Sequence, residues 1–117
     1  MREDSSEDAL ALARFCRDVI LEGKAIAPVI LDLRKLSAFT DFFLICSAAS
    51  RPQLKALAAS VEREVEKAHG LHPRSLQGSP ASHWVVLDYG ALLIHLFLEK
   101  ERAYYELERL WGDAPVL

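Results

Sequence analysis

Apolar positions recur along the chain with two different periods, and the changes of period mark the elements. Leu12, Cys16, Val19 and Ile20 share one helical face, behind the polar Ser5 and Ser6 and ahead of Gly23, which is placed to stop the helix. AIAPVILDL, residues 25–33, is aliphatic and β-branched and reads as a strand. Its Pro28 has no N–H for a ladder, so this strand lies at an edge or starts only at Val29. RKLSAFT connects it to FFLICS, residues 42–47, which is apolar on both alternating sets, as in a strand covered on both faces. SAASRPQ opens a second helix: Ser50 with Gln53 fits a capping box, and Pro52 is tolerated in the first turn. Leu54, Leu57, Ala58, Val61, Val65 and Ala68 form its stripe, and His69 and Gly70 end it. Residues 71–82 are loop-like, with Pro73, Gly78 and Pro80 and room for a short strand at 75–77. Trp84–Asp88 and Ala91–Leu98 read as strands around a Tyr89-Gly90 turn, and Glu99–Trp111 as one last helix.

The order is α-β-β-α-(β)-β-β-α. It predicts an α/β fold, a single mixed β-sheet with helices packed on it, rather than a sandwich or a bundle. The length of 117 residues suits one domain spanning residues 1–117, with 1–7 and 112–117 as frayed tails.

The hairpin HWVVLDYGALLIHLF, residues 83–97, has two unlike faces. A two-residue turn at Tyr89-Gly90 sets Asp88 opposite Ala91, Val86 opposite Leu93 and Trp84 opposite His95. One face then carries Trp84, Val86, Asp88, Leu93, His95 and Phe97; the other carries only Val85, Leu87, Leu92, Ile94 and Leu96. The aliphatic face suits helix packing. The other mixes rings, a carboxylate and an imidazole, and aromatic side chains with a polar tip favour surfaces that are half dry and half wet. Two uses fit that face: a minor core under a helix with His95 hydrogen-bonded inside it, or a surface that grips a partner.

Composition narrows the function classes. Hydrophobic residues make up 51%, which excludes a largely disordered chain. With 14 basic and 17 acidic residues the net charge is -3, which argues against broad, sequence-blind nucleic-acid binding and leaves room for a basic protein partner. Cys16 and Cys46 lie far apart with no C-x-x-C, so both read as small buried hydrophobes. MREDSSEDAL does not resemble a signal peptide, and no apolar run approaches the ~20 residues of a membrane span, so a cytoplasmic protein without membrane contact is expected.

Candidate chemistry is sparse. No glycine-rich phosphate loop is present. Asp32, Asp41 and Asp88 lie near strand ends, where a nucleotidyl-transfer enzyme gathers carboxylates for Mg²⁺, but none forms a D-x-D pair. His69 and His72 flank a helix end, His83 is expected exposed in a loop, and no Ser–His–Asp grouping follows from spacing. No enzyme, cofactor or metal is expected.

Taken in order, TDFFLICSAAS, R-x-x-x-K-A-L-A-x-x-V-E, QG, HWVVLDYGALLIHLF and ERAYYELERLW closely resemble the ribosomal silencing factor S family, also called Iojap, from about Ala9 to Trp111. The resemblance implies a fold related to nucleotidyltransferases without their catalytic carboxylates. It also implies a non-enzymatic factor that binds the large ribosomal subunit through its ribosomal protein fourteen, blocks joining with the small subunit and so represses translation; organellar relatives assist large-subunit assembly. The family's tryptophan falls on Trp84, its turn on Asp88, Tyr89 and Gly90, its H-x-F strand on His95 and Phe97, and its last helix on Arg102, Tyr105, Leu107, Glu108, Leu110 and Trp111. Ala91 departs from the acidic residue many relatives carry there. The resemblance thus implies a partner-binding set of Trp84, Asp88, Tyr89, His95, Phe97, Arg102 and Tyr105, with Trp84, Tyr89 and Phe97 as anchors and a body about 25–30 Å across as the obstacle. Two other readings stay open beside it: a residual nucleotide-binding or nucleotidyl-transfer enzyme, and a homodimeric scaffold that uses the ring-bearing face.

Overall fold

The structure, a computed structural model, describes residues 2–79, 81 and 83–117, with the side chains of 2–6 and 79 left aside; Pro80 of the expected loop falls outside it. Its elements are α1 (Arg2–Glu22), β1 (Ile26–Asp32), β2 (Phe42–Ala48), α2 (Arg51–His69), β3 (Ser75–Ser79), β4 (Trp84–Asp88), β5 (Leu92–Leu98), α3 (Glu99–Tyr105) and α4 (Leu107–Leu110). The five strands form one sheet in the order β1-β2-β5-β4-β3. β2 and β5 are parallel, and the other neighbours are antiparallel, so the sheet is mixed as expected.

Each strand's place follows from its residues. β2 is buried at every position, because helices cover one face and a second apolar layer the other. β1 is an edge strand, and Pro28 sits where its register shifts between Ile26 and Val29, a bulge where no ladder donor is required. Ala27 takes a left-handed φ of 48° beside it. Ser50 caps α2 by accepting from the Gln53 N–H at 3.2 Å, and Gly70 closes it with φ 66°. The Gln53 side chain reaches the N–H of Ala49 at 2.7 Å and donates back to the carbonyls of Gly23 and Lys24, which ties the start of α2 to the end of α1.

The larger core lies between the sheet and the α1–α2 layer. Ala13, Cys16 and Ile20 of α1 and Leu54, Val61 and Val65 of α2 meet Phe42, Leu44, Cys46, Val85, Leu87, Ile94 and Leu96. Both cysteines are free and fully buried there, and burial pushes each thiol up to about 12. The opposite face carries a smaller core of Leu31, Leu33, Phe43, Ile45, Phe97 and Ala114, with Leu107 and Trp111 packed over it. No described helix is long and apolar enough to cross a membrane.

Four sequence expectations need correction. α1 starts at Arg2, ahead of Ser5 and Ser6 rather than after them. Residues 112–117 are not frayed: Asp32 N–H donates to the Pro115 carbonyl and Leu117 N–H to the Ile30 carbonyl, both at 2.9 Å, so the chain end supplies partners for the outer side of β1. The last helix is two helices, because Glu106 turns left-handed at φ 48°, ψ 49° and splits α3 from α4. The hairpin register is offset by two: Asp88 faces Leu93, Val86 faces His95 and Trp84 faces Phe97, so the turn centres on Gly90-Ala91. A shift of two keeps every side chain on its expected face, where a shift of one would have exchanged the faces.

Candidate functional site

Trp84, Val86, Asp88, Leu93, His95 and Phe97 do share one face of the β4–β5 hairpin. What covers that face decides which of them a partner can touch. Phe97 is completely buried and His95 is 6% exposed. Neither ring is a free anchor: Phe97 belongs to the smaller core, and His95 stands edge-on to Phe43 with ring centroids 4.4 Å apart. The minor-core reading therefore holds for these two.

Trp84 lies at the open border of that core. It is half-buried, stacks on Phe97 at 4.7 Å and 27°, and meets Tyr105 of α3 at 4.8 Å. Tyr105 is 50% exposed and Tyr104, set perpendicular to it at 5.1 Å, is 80% exposed. Gln77 and Gly78 of the edge strand β3, with Trp84, Val86 and Tyr105, line a shallow cleft of about 320 Å³. Gln77 and Gly78 as contributors were not legible in the sequence, because they depend on β3 pairing antiparallel to β4. Tyr104, Tyr105 and Trp111 read from the sequence as either packing or partner contacts, and the two tyrosines are the ones left exposed.

The indole Nε1–H of Trp84 donates to Nδ1 of His95 at 3.2 Å. An indole nitrogen only donates, so Nδ1 accepts and the neutral ring carries its proton on Nε2. That Nε2 is buried and has no hydrogen-bond partner among the described residues. A buried donor left unmatched costs about 1–3 kcal/mol. Burial also pulls the His95 pKa down to about 4, so the ring is neutral at neutral pH.

The remaining expected site residues serve other ends. Asp88 Oδ1 accepts from the Gly90 N–H at 2.7 Å and Oδ2 meets Arg74 at 3.5 Å, so the carboxylate shapes the turn where Gly90 has φ 87°. Tyr89 leans to the opposite side, against the α1–α2 core, with a buried hydroxyl that has no partner among the described residues and that burial holds above its ordinary range. Arg102 is 12% exposed at its side chain. It forks onto Glu108 at 3.3 and 3.0 Å and donates to the Ile26 carbonyl and Ser47 Oγ at 3.1 Å. It clamps α3, α4, β1 and β2 together and is not a free surface cation.

Two other candidates are also paired. Asp32 is held by Arg34 at 2.9 and 2.6 Å, and that hydrogen bonding keeps its carboxyl below the usual range. His83 is not exposed in a loop: it is wedged between Arg51, which donates to Nε2 at 3.0 Å, and Glu101, 2.8 Å from Nδ1. Because Arg51 only donates, the His83 proton lies on Nδ1 and points at Glu101.

Comparison with known proteins agrees with this frame. Residues 5–117 match the family described as "Ribosomal silencing factor during starvation". The chain is 38% identical over 113 residues to the ribosomal silencing factor RsfS of Halalkalibacterium halodurans, covering 97% of this chain and 93% of that protein. It is 37% identical over 78 residues to mouse "Mitochondrial assembly of ribosomal large subunit protein 1", covering 62% of this chain and 33% of that one. A crystal structure of a Chromobacterium violaceum protein superposes with a TM-score of 0.84 at 28% identity, covering 89% of this chain and 86% of the other. With nearly every residue matched to one family, and the sheet, the ring-bearing hairpin and the Arg102 helix at the places its motifs predict, the chain belongs to the ribosomal silencing factor (Iojap) family.

Proposed function

We propose that this protein is a translational silencer that docks on the large ribosomal subunit, through its ribosomal protein fourteen, and keeps the small subunit from joining. The observation that carries the reading is the Trp84–Tyr105 border: a half-buried indole stacked on a buried Phe97 floor, with the exposed Tyr104 and Tyr105 beside it and a cleft in front. Large aromatics held rigid by a packed layer, with one side open, are the side chains that dominate interface energetics. Family membership and the mouse relative's name, which refers to the large subunit, support the choice of partner.

The mechanism is steric. The body measures 39 × 33 × 22 Å, larger in two directions than the 25–30 Å expected from chain length, and bulk of that size at a subunit interface prevents contact without any chemical step. The acidic balance of the chain, net -3, favours a basic ribosomal surface. Within the expected partner-binding set the roles divide. Trp84 and Tyr105 touch the partner, Phe97 and His95 support Trp84 from below, Asp88 sets the turn and Arg102 sets the helices. Sedimentation of the purified protein with separated large and small subunits tests the reading. The parent travels with large subunits only, and Trp84→Ala stays in the supernatant with its fold intact. A Trp84→Ala variant that travels like the parent overturns it.

A further inference from the structure

We infer that His95 is the positioning residue of this docking surface: its Nδ1 lone pair holds the Trp84 indole in the orientation that presents its open edge to the cleft. The inference rests on the docking reading above and adds to it how the anchor is set before a partner arrives. Across the hairpin Trp84 lies directly opposite Phe97, while His95 lies opposite Val86, one diagonal step away. The indole stacks on Phe97 at 4.7 Å and also donates diagonally to His95 at 3.2 Å, so the stack sets the plane of the ring and the hydrogen bond fixes its rotation within that plane.

The post that holds it is rigid. His95 is buried, stands against Phe43 at 4.4 Å and lies 14° from parallel with Phe97. The imidazole is also a costly occupant of its site. Its Nε2–H is unmatched among the described residues and its charged form is suppressed, so an aliphatic side chain would suit the surrounding apolar layer better. Among the described residues, the side-chain hydrogen bond of His95 is the one it accepts from the Trp84 indole. A polar group kept inside an apolar layer for a contact to a half-buried anchor acts on that anchor. The saving is entropic: an indole already fixed loses less freedom on binding.

The first measurement uses the unsubstituted, ¹⁵N-labelled chain: a nitrogen–nitrogen scalar coupling between Trp84 Nε1 and His95 Nδ1, with His95 in the Nε2–H tautomer. The second compares large-subunit sedimentation of Trp84→Ala, His95→Leu, His95→Asn and His95→Gln, each checked by thermal unfolding. Asn can place an acceptor near the Nδ1 position and Gln near Nε2. The expected result is a visible coupling, lost binding in Trp84→Ala, binding weakened about five- to tenfold in folded His95→Leu and His95→Gln, as for one lost orienting hydrogen bond, and recovery in His95→Asn. If His95→Leu does not fold, the coupling and the Asn–Gln difference decide. Absence of the coupling overturns the inference. So does a folded His95→Leu that binds like the parent while Trp84→Ala does not, a result that leaves the docking site standing. A Trp84→Ala that binds like the parent removes the docking site and the inference together.

Discussion

Arg102 and Glu108 face each other across the left-handed Glu106, joined by two hydrogen bonds of 3.3 and 3.0 Å. This fork stabilises the break between α3 and α4. The break lets Leu107 and Trp111 turn down onto the smaller core, while Tyr104 and Tyr105 remain on the outside. One arginine thus sets both the lid over Phe97 and the exposed tyrosines beside Trp84.

Arg102→Leu removes the fork and the bonds to Ile26 and Ser47, and leaves Glu108 partly buried without its partner. Glu108 is 37% exposed, so the loss is smaller than for a fully buried pair, about 2 kcal/mol, or roughly 8 °C in thermal midpoint. Urea and thermal unfolding read it directly. A variant as stable as the parent would show that the fork does not hold the two helices.

Phe97→Ala empties a site with no exposed surface and is expected to cost about 3–5 kcal/mol. Tyr105→Ala, at a ring that is 50% exposed, is expected to cost less than about 1 kcal/mol and yet to weaken large-subunit binding. Chemical unfolding and sedimentation of the two variants separate floor from contact. Equal stability losses would contradict the division.

Asp88 is a turn former whose charge matters little. Asp88→Asn keeps an acceptor for the Gly90 N–H and is expected to stay within about 0.5 kcal/mol of the parent, since Arg74 is 69% exposed and a pair of that kind contributes little. Asp88→Ala loses the acceptor beside a φ of 87° and is expected to cost about 1 kcal/mol. Urea midpoints rank the three proteins; Asn falling level with Ala would assign the role to charge instead.

Stability falls on acidification partly through His95. Its folded pKa of about 4 lies below the ordinary 6.5 of an unfolded histidine, so the unfolded chain takes up more protons between these values. The neutral ring's contribution is whole above pH 6.5, is lost as pH falls from 6.5 to 4, and changes no further below 4. The difference is about 3 kcal/mol at most. Unfolding free energies of the parent minus those of His95→Leu, taken across pH 7.5 to 4, isolate it from the carboxylates. Parallel curves would contradict the buried neutral imidazole.

What could be read from the sequence followed local rules. FFLICS is apolar on both sets and is the fully buried β2; Ser50, Gln53 and Gly70 bound α2 by caps that depend on neighbours a few residues away. The two faces of the hairpin were legible even though its register was not, because side-chain period is two and the offset was two. The kink at Glu106 left no local mark, having neither glycine nor proline: the Arg102 that forks onto Glu108 across it is itself held by Ile26 and Ser47, 76 and 55 residues away. GDAPVL read as a tail for the same reason, since its partners Ile30 and Asp32 lie on the far side of the chain. At the site, ring content was readable along the chain, but which rings stay open depends on what α4 and the chain end cover.

Subunit joining is the most direct measurement of the central claim. Purified large and small subunits are mixed with the parent protein or with Trp84→Ala, and whole ribosomes are separated from free subunits on a density gradient. The parent is predicted to hold the subunits apart in proportion to its occupancy of the large one, and folded Trp84→Ala to let them join. Free joining in the presence of saturating parent protein, or equal blocking by Trp84→Ala, would contradict the account.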